Sequence, residues 1–170
     1  MNKRTCSCGH VLIPDNTNYA KPKGLVVFDY PSYEDVTAGA LMVKTGRAYP
    51  VMYSEFLRSG LAIDAFWSVS FIPHAPNKEC QEDHSKRVID CFKDLDVVLL
   101  VGSEAASKLL MVSASEYYGL TVPGRWKGVS FVCCPSPLSV PKSSVGEFRL
   151  AIENFSALVK AKEEKRGKRK

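Results

Sequence analysis

Two short segments of this chain combine reactive side chains with turn-forming ones: Phe28-Asp29-Tyr30-Pro31-Ser32-Tyr33-Glu34-Asp35-Val36-Thr37-Ala38-Gly39 and Cys133-Cys134-Pro135-Ser136-Pro137-Leu138. Each follows a short β-branched run, which predicts a place at a strand end, where a parallel sheet presents its loops to a ligand. A carboxylate there, as at Asp29, can position water and stabilise developing positive charge. Its structural alternative is a solvated side chain or a helix cap. Thiols offer the other chemistry. Six cysteines in a chain whose first residues lack a signal-peptide core imply reduced thiols or a metal rather than a disulfide framework. Cys6-x-Cys8-x-His10 supplies a local ligand group. Cys91, on an apolar face with Val88 and Phe92, reads as core, and Cys133 points away from Cys134 in an extended strand. A thiol-hydrolase reading of Cys134 requires His74 or His84 in contact with it, and no spacing places either there.

The elements that must carry these segments follow from periodicity. Four apolar runs, Leu25 to Phe28, Phe66 to Ile72, Val97 to Val101 and Val129 to Cys133, read as strands buried on both faces. Helical patterns lie between them: Val51, Met52, Tyr53, Phe56 and Leu57 before Gly60, then Val88, Cys91, Phe92 and Leu95. A third helix opens after Gly102 at Ser103. The last starts with Ser144 and Glu147 in capping-box spacing and carries Phe148, Ile152, Phe155 and Val159 toward the sheet. Alternating strands and helices predict an α/β domain with a parallel sheet.

With 170 residues, 45% of them hydrophobic and 24% charged, the chain reads as one soluble domain. No apolar run long enough to cross a membrane occurs, so the expected location is cytoplasmic, with no membrane partner. Lys160 to Lys170 holds seven basic and two acidic residues and thus the entire formal charge of +5. Residues 160–170 therefore read as a basic, disordered tail following a domain over 1–159. Lys165, Arg166, Lys168 and Arg169 are candidate phosphate contacts, or a solubility device.

In order and spacing the two strand-end segments resemble the active-site motifs of the uracil-DNA glycosylase superfamily, in particular its iron–sulfur type known as family 4, whose motifs read Gly-Glu-(Ala/Gly)-Pro-Gly and His-Pro-Ser. Pro31 is followed eight residues on by Gly39, as in the first motif, and Pro135-Ser136 keeps the end of the second. Leu99-Leu100-Val101-Gly102-Ser103-Glu104-Ala105-Ala106 is similar to the family's strand-Gly-x-x-Ala helix start, and Gly124-Arg125-Trp126 to its turn before the final strand. The resemblance spans Cys6 to Phe155. It implies a three-layer α/β/α fold around a mainly parallel four-stranded sheet.

The resemblance also implies site roles. Asp29 stands where the catalytic glutamate stands, and Cys134 where a histidine donates to the departing base, although a neutral thiol donates weakly. Met42 takes the base-stacking position. Ser70, with Ser68 as the alternative register, takes that of the base-reading Asn, and Ser32 is a further candidate base contact. Ser136 and Leu138 fall on the DNA-wedging loop, with Val140 in place of its Arg. For the metal the resemblance implies an N-terminal pair, Cys6 and Cys8, here as Cys-x-Cys; a ligand after the middle strand, which falls on His74; and one reached by counting back from Gly102 by the family's helix length, Cys80. The set suits a 4Fe-4S cluster with one histidine ligand or tetrahedral zinc, with His10 as an alternative to His74.

Two functions follow. One is an enzyme that hydrolyses the N-glycosidic bond of uracil or a related base in DNA. The other is a catalytically impaired glycosylase fold that serves as a DNA-binding or DNA-polymerase accessory module. Losing one transition-state donor typically costs ~10²–10³ in rate, and every expected chemical position is altered.

Overall fold

The structure is a computed structural model that describes residues 4–123, 126, 128–139 and 145–168. Its strands are β1 (Leu25–Phe28), β2 (Trp67–Ser70), β3 (Val97–Val101), β4 (Thr121–Pro123) and β5 (Ser130–Cys134). The helices are α1 (Tyr33–Ala38), α2 (Ala48–Arg58), α3 (Ser85–Cys91), α4 (Glu104–Leu110) and α5 (Val145–Gly167).

The strands form one sheet in the order β2-β1-β3-β5-β4. The four strands expected from their apolar runs pair in parallel, and β4 pairs antiparallel to β5. The four-stranded expectation is thus corrected to five strands among the described residues. Thr121-Val122-Pro123 is too short, and ends in too poor a ladder residue, to register as a strand by pattern.

Period-2 alternation divides the strand residues between two apolar clusters. Val26, Phe28, Leu99, Val101, Val132 and Cys134 pack with Met52 and Phe56 of α2 and with Phe148, Ile152, Phe155 and Val159 of α5. Leu25, Val27, Val98, Leu100, Phe131 and Cys133 pack with Val88 of α3 and Ala105, Ala106 and Leu109 of α4. All four apolar residues expected on the last helix are fully buried. Within the apolar pattern that reads as α2, Met52 and Phe56 are buried, whereas Tyr53 and Leu57 are exposed.

Two boundaries shift, and one shift matters. The second strand contracts to Trp67–Ser70 behind a short 3-10 turn at Ile63–Ala65. The last strand moves one residue on, so that Cys134 is its final rung, paired with Val101, rather than the first loop residue. The basic stretch expected as a disordered tail continues α5 as helix to Gly167. There Lys162 and Arg166 reach Asp96 at 3.1 and 3.3 Å. Gly124, Arg125, Val140, Ser144 and Arg169 lie outside the described residues.

Ahead of β1, the chain runs along the outer side of β2. Asn16 and Ser68 exchange backbone hydrogen bonds at 2.8 and 2.9 Å, and Ile13 N–H donates to Pro73 O. Asp15 ion-pairs with Arg87, whose guanidinium also donates to the Ser70 carbonyl. These contacts carry the N-terminal cysteines to the loop that follows β2.

Candidate metal centre and strand-end cleft

Residues Thr5 to Val11 close a tight turn, bridged at its ends and tied by Cys6 N–H to His10 O at 2.8 Å and Gly9 N–H to Cys6 O at 2.9 Å. Gly9 adopts φ +85°, a conformation that glycine reaches without strain. The turn presents Cys6, Cys8 and His10 to the segment from Pro73 to His84. Cys6 Sγ stands 3.5 Å from Cys80 Sγ, and Cys8 Sγ 3.7 Å from His74 Nε2. The ligand atoms of Cys6, Cys8, His74 and Cys80 all lie within 4.8 Å of one another, close enough to hold a metal ion. All four residues nominated from the sequence therefore converge.

His74 has no exposed surface, and its Nδ1 donates to Ala75 O at 2.7 Å. That bond fixes the tautomer and leaves the Nε2 lone pair facing Cys8, the arrangement metal-ligating histidines use. Burial pushes the Cys6 thiol up to about 12. The His10 backbone N–H, directed at the Cys8 sulfur, lowers Cys8 to about 6. A Cys₃His set with Cys6 and His74 buried, Cys8 and Cys80 half-buried, and one thiol biased toward thiolate has the donor chemistry of a zinc or iron–sulfur site. His10 stacks on His74 with ring centroids 5.4 Å apart, and its Nδ1 is 3.5 Å from Cys8 Sγ.

Glu82 and His84 border the same centre and were missed as ligands by sequence reasoning. Glu82 Oε2 accepts from Cys6 Sγ at 3.1 Å and from Ser7 N–H at 2.9 Å, and the Ser7 bond holds its carboxyl down to about 2. His84 Nε2 is 3.6 Å from Cys6 Sγ and 3.9 Å from Cys80 Sγ. The signal was present: Cys80-x-Glu82-x-His84 repeats the spacing of Cys6-x-Cys8-x-His10.

The second region is a cleft of about 240 Å³ at the carboxyl ends of β1, β3 and β5. Asp29, Ser32, Met42, Ser136 and Leu138 line it together with Tyr30, Tyr33 and Pro76. Leu138 and Tyr33 are exposed at its rim, 44% and 79% accessible. Two nominated residues stand apart from this wall. Cys134 is fully buried in the apolar cluster that includes Phe148, and burial raises its thiol well above the ordinary range. Ser70 is also fully buried, and its hydroxyl has no hydrogen-bond partner among the described residues.

The polar residues of the cleft are engaged in holding its shape. Asp29 accepts from Ser103 N–H at 2.8 Å and Ala105 N–H at 2.9 Å, capping α4 from the neighbouring strand. Burial outweighs these bonds and raises the Asp29 carboxyl. Gly102, at φ +106°, is required because a Cβ there would collide with the Asp29 carboxylate. Ser32 caps α1 in a reciprocal box with Asp35, and Asp35 also accepts from Val43 N–H at 2.9 Å. Met42 adopts a left-handed φ of 57° directly before that anchored residue. Lys165, Arg166 and Lys168 are exposed near the end of α5, outside the cleft wall.

Among the described residues, no helix is long and apolar enough to cross a membrane. The sequence matches no protein-family model and no curated protein.

Proposed function

We propose that the chain is a uracil-DNA glycosylase-like module that takes an unpaired base of DNA into the strand-end cleft and excises it slowly or not at all. The observation that carries this reading is the division of the nominated residues. Those that shape a base-sized recess, Asp29, Ser32, Met42, Ser136 and Leu138, line the cleft, whereas Cys134 and Ser70 are sealed in the core. About 240 Å³ falls below the ~300–1,000 Å³ of drug-sized pockets and suits one single-ring heterocycle. Tyr30 and Tyr33 offer stacking faces, and the exposed cations of α5 offer phosphate attraction. An accessory role beside a DNA polymerase fits such a module better than repair catalysis does.

For the metal, the spacing favours a single tetrahedral ion, zinc in first place, over a four-iron cluster. Zinc bonds to sulfur and nitrogen put neighbouring ligand atoms about 3.5–3.8 Å apart. The Cys6–Cys80 and Cys8–His74 separations of 3.5 and 3.7 Å match that edge. A cubane sets a separate iron behind each ligand and needs a wider cage. The ion would fasten the N-terminal turn to the loop that supplies Pro76 to the cleft.

The test is fluorescence anisotropy of the full chain on single-stranded and duplex oligonucleotides containing uracil, thymine or an abasic site, run beside a uracil-excision assay. Single strands are expected to bind more tightly than duplex, because flipping a base out of a stack costs a few kcal/mol. Rapid excision that Asp29→Asn abolishes would restore the enzyme reading. Absence of binding to any DNA would remove DNA as the partner.

A further inference from the structure

We propose that the centre has a second divalent-cation position on the solvent side of the first, with Cys6 shared between the two ions and Glu82 and His84 completing the protein ligands of the outer one. The proposal rests on the reading of the centre as a holder of single ions. Cys6, Glu82 and His84 each present one ligand atom within 4.8 Å of the others. Cys6 Sγ is 3.1 Å from Glu82 Oε2 and 3.6 Å from His84 Nε2, separations that straddle a tetrahedral edge.

The hydrogen bonds around Glu82 point the same way. Its carboxylate is held by Ser7 N–H at 2.9 Å and faces Cys6 Sγ at 3.1 Å, so the oxygen keeps one place beside the sulfur. A cation seated on Cys6 and Glu82 lies within reach of His84 Nε2, 3.6 Å from the same sulfur. A thiolate sulfur keeps lone pairs enough to bridge two ions.

The two positions differ in burial. His74, a ligand of the inner set alone, has no exposed surface, whereas Glu82 is exposed. His84 Nε2 also lies 3.9 Å from Cys80 Sγ, so the fourth place on the outer ion falls to Cys80 or to water. Three protein ligands and an exchangeable fourth are the pattern of an open zinc site rather than a closed structural one. The outer ion is therefore the more weakly held and the more readily exchanged.

The experiment is a count of metal on the full-length protein. Metal-depleted chain is titrated with Zn²⁺ against a chromophoric chelator, and the loaded protein is assayed for zinc, iron and acid-labile sulfide. Two equivalents per chain are expected, one tight and one weaker. Glu82→Gln and His84→Ala each lose the weaker equivalent and keep the tight one, and His74→Ala loses the tight step. Co²⁺ in both positions shows magnetic coupling through the shared sulfur, a readout that does not depend on any variant folding. A single equivalent that Glu82→Gln and His84→Ala leave unchanged overturns the second position while leaving the inner ion in place. Iron with stoichiometric sulfide overturns the single-ion reading and the second position with it.

Discussion

The candidate metal centre and the cleft follow from the same motifs, and the structure treats them differently. At the centre every nominated ligand converges; at the cleft the shape-making residues converge and two of the chemistry-bearing ones do not. The difference lies in what each task demands of the backbone. A ligand on a turn needs proximity, and a thiol or imidazole on a flexible loop reaches its partners from several backbone positions. A side chain at a strand end needs parity as well. Cys134 is the last rung of β5 rather than the first loop residue, so its side chain stays on the sheet face that joins the apolar cluster of α2 and α5 instead of turning into the cleft. Sequence spacing thus predicts a metal cage more securely than it predicts a catalytic group on a strand.

The sharpest way to break this comparison is at the metal. Cys80→Ser, or treatment with a strong chelator, is expected to cost about 4 kcal/mol or more of stability, as losses of structural metals do. The N-terminal arm should become sensitive to protease before the sheet unfolds. A thermal midpoint that neither treatment moves would mean that the thiols carry no metal. Next in size is Cys134→His, which forces a larger polar ring into a fully buried place and is expected to destabilise by about 3 kcal/mol with no gain in uracil release. Faster release from a variant of undiminished stability would put position 134 in the cleft after all.

Asp29 tests the cleft from the other side. Asp29→Ala removes two hydrogen bonds to the start of α4 and should cost about 2 kcal/mol in denaturant unfolding. The pH dependence has a defined sign. Because burial raises the folded carboxyl above its ordinary 3.8, the contribution is complete below that value and is lost as pH rises through the raised one. The stability advantage of wild type over the non-titrating Asp29→Asn should therefore shrink as pH rises through that window. An advantage constant with pH would deny the shift. The smallest effect belongs to α5. Replacing Lys165, Arg166 and Lys168 by Ala should change stability by less than about 0.5 kcal/mol, since the Arg166–Asp96 ion pair is solvent-exposed. The same variant should flatten the salt dependence of the proposed DNA binding by about one unit of slope for each phosphate no longer neutralised. An unchanged slope would assign these residues to solubility alone.

Much of the frame was legible because it obeys period rules. Leu25 to Phe28 and Val97 to Val101 are continuous apolar runs, and only a strand covered on both faces accounts for them. Phe148, Ile152, Phe155 and Val159 recur at helical intervals and meet the sheet as that interval requires. What escaped has local causes. β4 carries three residues and no run, and α1 is set by the Ser32–Asp35 capping box rather than by an apolar stripe. The helical state of residues 160–167 was hidden by their charge. Lys162 and Arg166, one turn apart, meet Asp96 across the fold, a long-range pairing that composition does not reveal. Glu82 and His84 were hidden because an exposed carboxylate and a histidine at a helix start are ordinary until a sulfur is found beside them.

The N-terminal arm also does something for the sheet. β2 is the outermost strand on its side, and an outermost strand leaves backbone donors and acceptors open to whatever chain comes next. Here the arm takes that place: Asn16 bonds Ser68 from both directions, and Tyr19 O receives the Trp67 indole N–H at 2.8 Å. The turn that gathers Cys6 and Cys8 is the far end of this covering strip. A chain whose arm has come loose exposes the β2 edge to a second copy of itself, so aggregation, more than any loss of binding, is the failure expected when the arm loses its anchorage.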